Sequence, residues 1–459
     1  RTAPERALVA VWQSVLGVPT VGMLDNFFDL GGDSIKAIQI VSRAFQAGYK
    51  LDMKDLFRYP IVATLASHMH EASRMADQGE VSGETALLPI QHEFFAQEQV
   101  DVHHFNQAVM LHREQGFDES ALRQALGKLT KHHDALRMVF SKTAQGYKAW
   151  NRGIQEGELY QLDVLDFRDI TDEAMLSVAM EAKATEIQSS IQLQEGPLFK
   201  AGLFHCVDGD HLLMVIHHLV VDGVSWRILF EDLATAYEQA VHQKVLQLPD
   251  KTDSFRSWSQ KLSKYANSTA MDSEHAYWEQ WNAVALSDQV RLPEDQAQAD
   301  SFTLADTDTV VFQLTEEETE RLLKQAHRAY NTEVNDLLLT ALGMMLYTWT
   351  GHERSLIHLE GHGRENILPD TDISRTIGWF TSPYPIWLDI GRDQALSERI
   401  KQVKESLRDI PNQGMGYGIW RYLSESGQAM GQQADALNLA QHQAFAEPQV
   451  SFKYLGQLD

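Results

Sequence analysis

Cysteine is all but absent. Cys206 is the single thiol in 459 residues, which excludes an intramolecular disulfide and a cysteine-ligated zinc site. A reducing, cytoplasmic setting is the expectation. Long hydrophobic runs are missing as well: the longest, Leu337 to Trp349, falls short of the roughly 18 apolar residues that a membrane helix needs. Positive charge is scarce, with Lys+Arg 39 against Asp+Glu 64 and a formal net charge of -25. That balance disfavours a general binder of nucleic acid or anionic membranes. No signal peptide is expected, and the residues show no internal repeat or low-complexity tract. No Gly-rich dinucleotide motif occurs, and no metal is expected.

What is present is an ordinary globular mix, 44% apolar and 22% charged. Its length gives a prior of about three domains at roughly 150 residues each. The chain opens on Arg1 rather than Met, so it is expected to be part of something longer. Residues 1–75 are almost neutral, whereas the remainder carries the whole negative excess. The break coincides with a polar, Gly-bearing stretch, Ala76 to Thr85, that has the composition of a linker.

In the first 75 residues, Glu5 to Leu16 is apolar at helical spacing and is stopped by Gly17 and Pro19. Ile35, Ile38, Val41 and Phe45 mark a second helix. Asp52 to Tyr59 and Val62 to His70 give two short ones, and the sum is a small helical bundle. Ser34 opens the second helix after Gly31-Gly32-Asp33. Spacing alone makes it an N-cap, but it is equally a hydroxyl accessible to modification at a helix end that favours phosphate. The whole string LGGDSIKAIQI, with its Phe27-Phe28-Asp29-Leu30 lead-in, resembles the attachment site of peptidyl carrier proteins in nonribosomal peptide synthetases. The resemblance implies 4′-phosphopantetheine carried covalently on Ser34.

Further on, Leu212 to Ile216 reads as a strand buried on both faces and runs into His217-His218. A tight turn follows, then a helix over Ser225 to Ala240. Thr332 to Trp349 reads as a buried helix capped by Thr332. The strand Leu356 to Leu359 ends in Glu360-Gly361-His362-Gly363-Arg364-Glu365. An imidazole and a carboxylate thus stand at the ends of two buried strands in separate halves, which points to a site between two lobes.

HHLVVDG at 217–223 and HHDALRM at 132–138 resemble signatures of the condensation-type superfamily. The expected fold is therefore a small all-α carrier bundle followed by a two-lobed α/β domain of the chloramphenicol-acetyltransferase-like type. These two motifs are shared by condensation, cyclisation and epimerization domains. PIQHEFF at 89–95, DLLLTALG at 336–343, EGHGRE at 360–365, RTIGWFTSPYP at 375–385, PNQGMGYG at 411–418 and FKYLGQLD at 452–459 resemble the epimerization branch. The expected layout is a carrier at 1–75, a linker at 76–87, and epimerization lobes at 88–262 and 263–459. The chain is similar to the initiation modules of the gramicidin S and tyrocidine synthetases. The resemblance implies an isomerase that epimerises, L to D, an aminoacyl group held as a thioester, with phenylalanine as the implied residue. Implied partners are an upstream adenylation domain in the same polypeptide, a phosphopantetheinyl transferase and the condensation domain of the next synthetase. An amide-forming condensation domain and a silent docking module are the alternatives.

Epimerization removes the α-proton from one face of the carbon and returns it on the other, so acid/base groups must flank it. His218 and Glu360 are the candidates, with Glu360 as base in the L-to-D direction and His218 as acid. Tyr454 is a candidate donor to the developing oxyanion or a positioner of the thioester. His217 is expected to shape the strand end. Asp222 is expected to pair with Arg137 in the interior. Arg364 would orient Glu360 or touch the pantetheine arm. Trp379 and Phe380 would wall the tunnel, and Tyr417 would sit in the core. Two positions depart from the family pattern: Glu93, expected to be surface variation, replaces an aromatic residue, and Lys453, beside Tyr454, replaces asparagine.

Overall fold

The structure, a computed structural model, describes residues 1–72, 76–97, 99–288, 291–293, 304–368, 370–436 and 444–456. The expected break at residue 75 and the last three residues of FKYLGQLD lie outside them.

The N-terminal segment builds helices Ala3–Leu16, Ser34–Gln46, Met53–Arg58 and Val62–Leu65. Thr2 caps the first through a reciprocal bond pair with Glu5, and Gly17 ends it in the left-handed conformation. Leu8, Trp12, Phe27, Ile40, Leu56 and Leu65 are fully buried and form the core. The bundle also contains an antiparallel ladder of two-residue strands, Tyr49–Lys50 with His70–Glu71, so it is not wholly helical.

Among the described residues, the second part holds three further sheets. A four-stranded sheet runs in the order Asn106–Arg113, Gly209–His217, Phe199–Cys206, Gln161–Asp166, its last pairing parallel and the others antiparallel. Gly209–His217 is the strand expected from Leu212 to Ile216, and its burial on both faces follows from its inner place. The helix Gly223–Val241 follows at once. A three-stranded antiparallel sheet joins Gly83–Thr85, Gly146–Asn151 and Met138–Thr143. Gly83–Thr85 falls within the expected linker: its backbone is paired with Gly146–Asn151, which a polar composition could not reveal.

In the C-terminal half, Arg354–Gly361 lies between antiparallel Ser382–Asp389 and parallel Val450–Phe452. The helix Val334–Thr350 is capped by Glu333 and Asp336, which exchange backbone bonds, and not by Thr332. A helix, Phe255–Tyr265, runs through the expected lobe border at 262/263. Among the described residues no helix is long and apolar enough to cross a membrane.

Candidate active site

His218 opens a single 3-10 turn at the end of the strand Gly209–His217. Its ring stacks on Phe105 at 5.2 Å and meets Trp379, from the C-terminal half, at 4.3 Å between centroids. Nδ1 lies 2.8 Å from the Val221 carbonyl, and Nε2 lies 3.0 Å from Nε2 of Gln107. Burial pushes the imidazole pKa down, while its bonds to the backbone and the charges of Asp222 and Glu360 pull it back up. The ring therefore sits in a largely apolar box that disfavours its charged form.

Glu360 belongs to the other half. It pairs with Pro383 near the end of the central strand Arg354–Gly361, half-buried, with Oε1 2.6 Å from the ammonium of Lys453. The expected alternative partner, Arg364, is committed elsewhere. Gly363, just before Arg364 in the turn, has φ +67, and a Cβ there would collide with the Phe380 carbonyl. Only glycine lets the backbone bend this close. Glu93 is not surface variation. Burial pushes its carboxyl up to about 7, against the pull of Arg421, and it also feels Glu447, Glu360 and Lys453. Both departures from the family pattern thus fall into the charge cluster around Glu360.

Asp222 does not pair with Arg137. It caps the helix Gly223–Val241 through the Ser225 N–H at 2.7 Å and accepts Arg364 Nη2 at 3.1 and 3.2 Å. It also accepts the Phe380 backbone N–H at 3.1 Å. The Arg364 guanidinium donates to the carbonyls of Ile373 and Thr376 and lies against the Phe380 ring at 4.2 Å. Both partners are buried, so the pair locks the HHLVVDG turn to the EGHGRE turn. Arg137 is instead a staple of the N-terminal half: it donates to the carbonyls of Val81, Thr130, Lys131 and Arg152 and pairs with Asp134 at 2.9 Å. Asp134 lies only three positions before Arg137 in the chain, so this pair is local. His217 is fully buried, donates Nε2–H to the Val102 carbonyl, and has its pKa pushed down to about 3 by burial. Tyr417 is buried against Trp278 and Trp420.

Ser34 is the first residue of its helix, and the cap is Asp33, which accepts the Lys36 N–H at 2.8 Å. The N-cap reading of Ser34 therefore falls. Gly32 is required by close packing, since a Cβ would overlap the Phe27 ring. Ser34 faces a cavity shared with the C-terminal half and lined by Phe28, Leu323, His327, Asn335 and Tyr454. The bundle is held there by Asp29 with His327 and Arg328, by Arg43 with Glu231 at 2.7 Å, and by Asn366 with Asp52. A serine at a helix start, opening on a cavity of mixed polarity, fits a linear phosphate-linked arm. Tyr454 is brought to this cavity, and burial beside Asp33 pushes its hydroxyl up to about 12.

Among the described residues, two His/Asp groups bring possible metal-ligand atoms within 4.8 Å: His112, Asp208 and His211 at the surface, and His132, His133 and Asp232 inside. In the second, Arg375 already pairs with Asp232. Sequence reasoning missed Gln107, Phe105 and the polar use of Trp226. The one available signal was two consecutive amides, Asn106 and Gln107, where an apolar strand begins.

Three comparisons bear on this geometry. Residues 81–448 match the family described as condensation domain, and residues 6–69 match the phosphopantetheine attachment site. The chain is 47% identical, over its whole length, to 12% of tyrocidine synthase 2 from Brevibacillus parabrevis. It is 46% identical to 40% of gramicidin S synthase 1 from Brevibacillus brevis. The chain thus spans less than half the length of these relatives. Among solved structures, the epimerization domain from the third module of tyrocidine synthetase B superposes with a TM-score of 0.74 at 47% identity. That match covers 83% of this chain and 82% of the other.

Proposed function

Since the chain belongs to the condensation-domain family and carries a phosphopantetheine attachment site ahead of that domain, we propose that it epimerises, L to D, the α-carbon of an aminoacyl thioester held on Ser34. The observation that carries this reading is that His218 and Glu360, each near the end of a strand in a separate half, come near enough for the Glu360 charge to act on the imidazole. The likeness to an epimerization domain at 47% identity supports it.

The pantetheine arm supplies a tether and a thioester carbonyl that acidifies the neighbouring C–H. The rest is done by side chains. Glu360 takes the α-proton from one face, and His218 delivers one to the other; in reverse the roles exchange. Lys453 holds the Glu360 carboxylate in place. Tyr454, beside Ser34, stands at the phosphate end of the arm and guides its path inward. Phe105 and Trp379 keep water from the imidazole. Asp222 and Arg364 fix the spacing of the two strand ends. A condensation reading shares His218 but gives Glu360 no task, and a silent docking module needs neither group.

An upstream adenylation domain, a phosphopantetheinyl transferase and the next synthetase's condensation domain are the partners this chemistry requires, in the cytoplasm. The decisive experiment loads the phosphopantetheinylated protein with L-phenylalanine, then with other amino acids, in heavy water. Thioester hydrolysis then gives the α-deuterium content and the L/D ratio. Deuterium together with D-product is expected, and His218→Ala should abolish both. Amide formation without α-exchange would replace the reading with condensation.

A further inference from the structure

The group facing Nε2 of His218 is the side-chain amide of Gln107, on the strand Asn106–Arg113 that pairs with the histidine's own. That amide is held at both ends. Its Oε1 lies 2.7 Å from Nε1 of Trp226, on the helix Gly223–Val241, and its Nε2 lies 3.0 Å from the imidazole. An indole N–H can only donate, so it takes the amide oxygen and fixes which way the amide points. The amide NH2 is then left to face His218, and it too can only donate. A donated bond requires a lone pair on the imidazole Nε2. The ring proton must therefore sit on Nδ1, where the Val221 carbonyl at 2.8 Å accepts it. Each link leaves the next a single choice.

We propose that Gln107, anchored by Trp226, is a positioning residue that keeps Nε2 of His218 an unprotonated acceptor. The proposal rests on the role given to His218 above. An imidazolium would set its new N–H against the amide NH2, donor against donor. Protonation of Nε2 thus requires the amide to swing away and leave the buried indole N–H unpaired. Gln107 makes the protonated ring a stronger acid and speeds delivery of its proton.

The other titratable groups facing His218 are few: Glu360 from the opposite half, Asp222, already paired with Arg364, and the neutral His217. None of them forms the hydrogen bond at Nε2. Burial of the ring acts in the same direction as the amide.

The test uses the full chain labelled with 15N-histidine, with the His218 signals assigned through His218→Ala, and follows their tautomer and titration. The expected wild-type state carries the proton on Nδ1. Gln107→Glu offers an acceptor to both the indole and an Nε2–H, so the His218 pKa should rise by about one unit or more. Gln107→Met should raise it less, and Trp226→Phe, which frees the amide to rotate, least. The alkaline limb of L-to-D exchange, above which His218 has no proton to deliver, should move up with the pKa in the same order. Wild-type His218 protonated on Nε2, or no change of pKa in the Gln107 variants, would overturn the proposal. Should those variants fail to fold, the wild-type tautomer and Trp226→Phe still decide it. Signals that shift as expected in a protein that exchanges no deuterium would leave the relay standing and remove the epimerase reading. Exchange without the shift would do the reverse.

Discussion

Two carboxylate–cation pairs meet in one short stretch of chain, and they are built for opposite purposes. Arg364 with Asp222 is buried on both sides and wrapped in backbone donors and acceptors. Glu360 with Lys453 is half-open, with side-chain exposures of 27% and 57%. A buried pair leaves an uncompensated charge when broken and so tolerates no change. An open pair contributes little to stability and can part when a substrate arrives. The same contrast recurs one residue apart at HHLVVDG, where His217 is fully buried and His218 is only partly so.

The strongest way to test that contrast is Arg364→Met, which strands Asp222 in the interior. Denaturant unfolding should show a loss of about 3–5 kcal/mol, with activity lost alongside. Next comes Glu360→Gln, where the expectation inverts. Stability should stay within about 0.5 kcal/mol, while α-deuterium exchange should fall by about a hundredfold or more. A variant that lost stability instead would erase the distinction between the pairs.

His217 sharpens it through pH. Its folded pKa of about 3 lies below the ordinary 6.5, so the unfolded chain binds a proton that the folded one does not. Stability is unaffected above pH 6.5 and falls as pH drops below it, by about 2 kcal/mol at pH 5 from this group. His132 is shifted the same way and adds to the slope. Replacing His217 with glutamine should leave a shallower acid limb in the same unfolding measurement. The smallest effect belongs to Lys453→Gln: under about 1 kcal/mol in stability, and a roughly tenfold or smaller loss of exchange that shrinks further in high salt.

Much of the framework is legible in the residues. The strand before His217, the helix after Asp222 and the strand ending at Glu360 all announce themselves through apolar runs and helical spacing, because burial is written locally into side-chain type. Partners are not. Asp222 lies four positions from His218 in sequence and invites a pairing with Arg137, yet its cation comes from 142 positions away. Glu93 reads as a tolerated surface change, since its chain neighbours give no hint of Arg421 and Glu447. The serine of the carrier is plain in its motif, but its relief from capping depends on which of two adjacent residues, Asp33 or Ser34, takes the extended backbone.

Sequence by itself determined the chemical inventory: an imidazole and a carboxylate at two buried strand ends, a serine at a helix start, a single thiol and no excess of positive charge. These follow from composition and from periodicities of two and 3.6 residues, which act over a few positions. Tertiary structure decided which charges meet and which nitrogen of His218 holds its proton. Hydrogen-bond donors and acceptors act only across about 3 Å, and the groups that come this close are brought together from distant strands by the packing of the two halves.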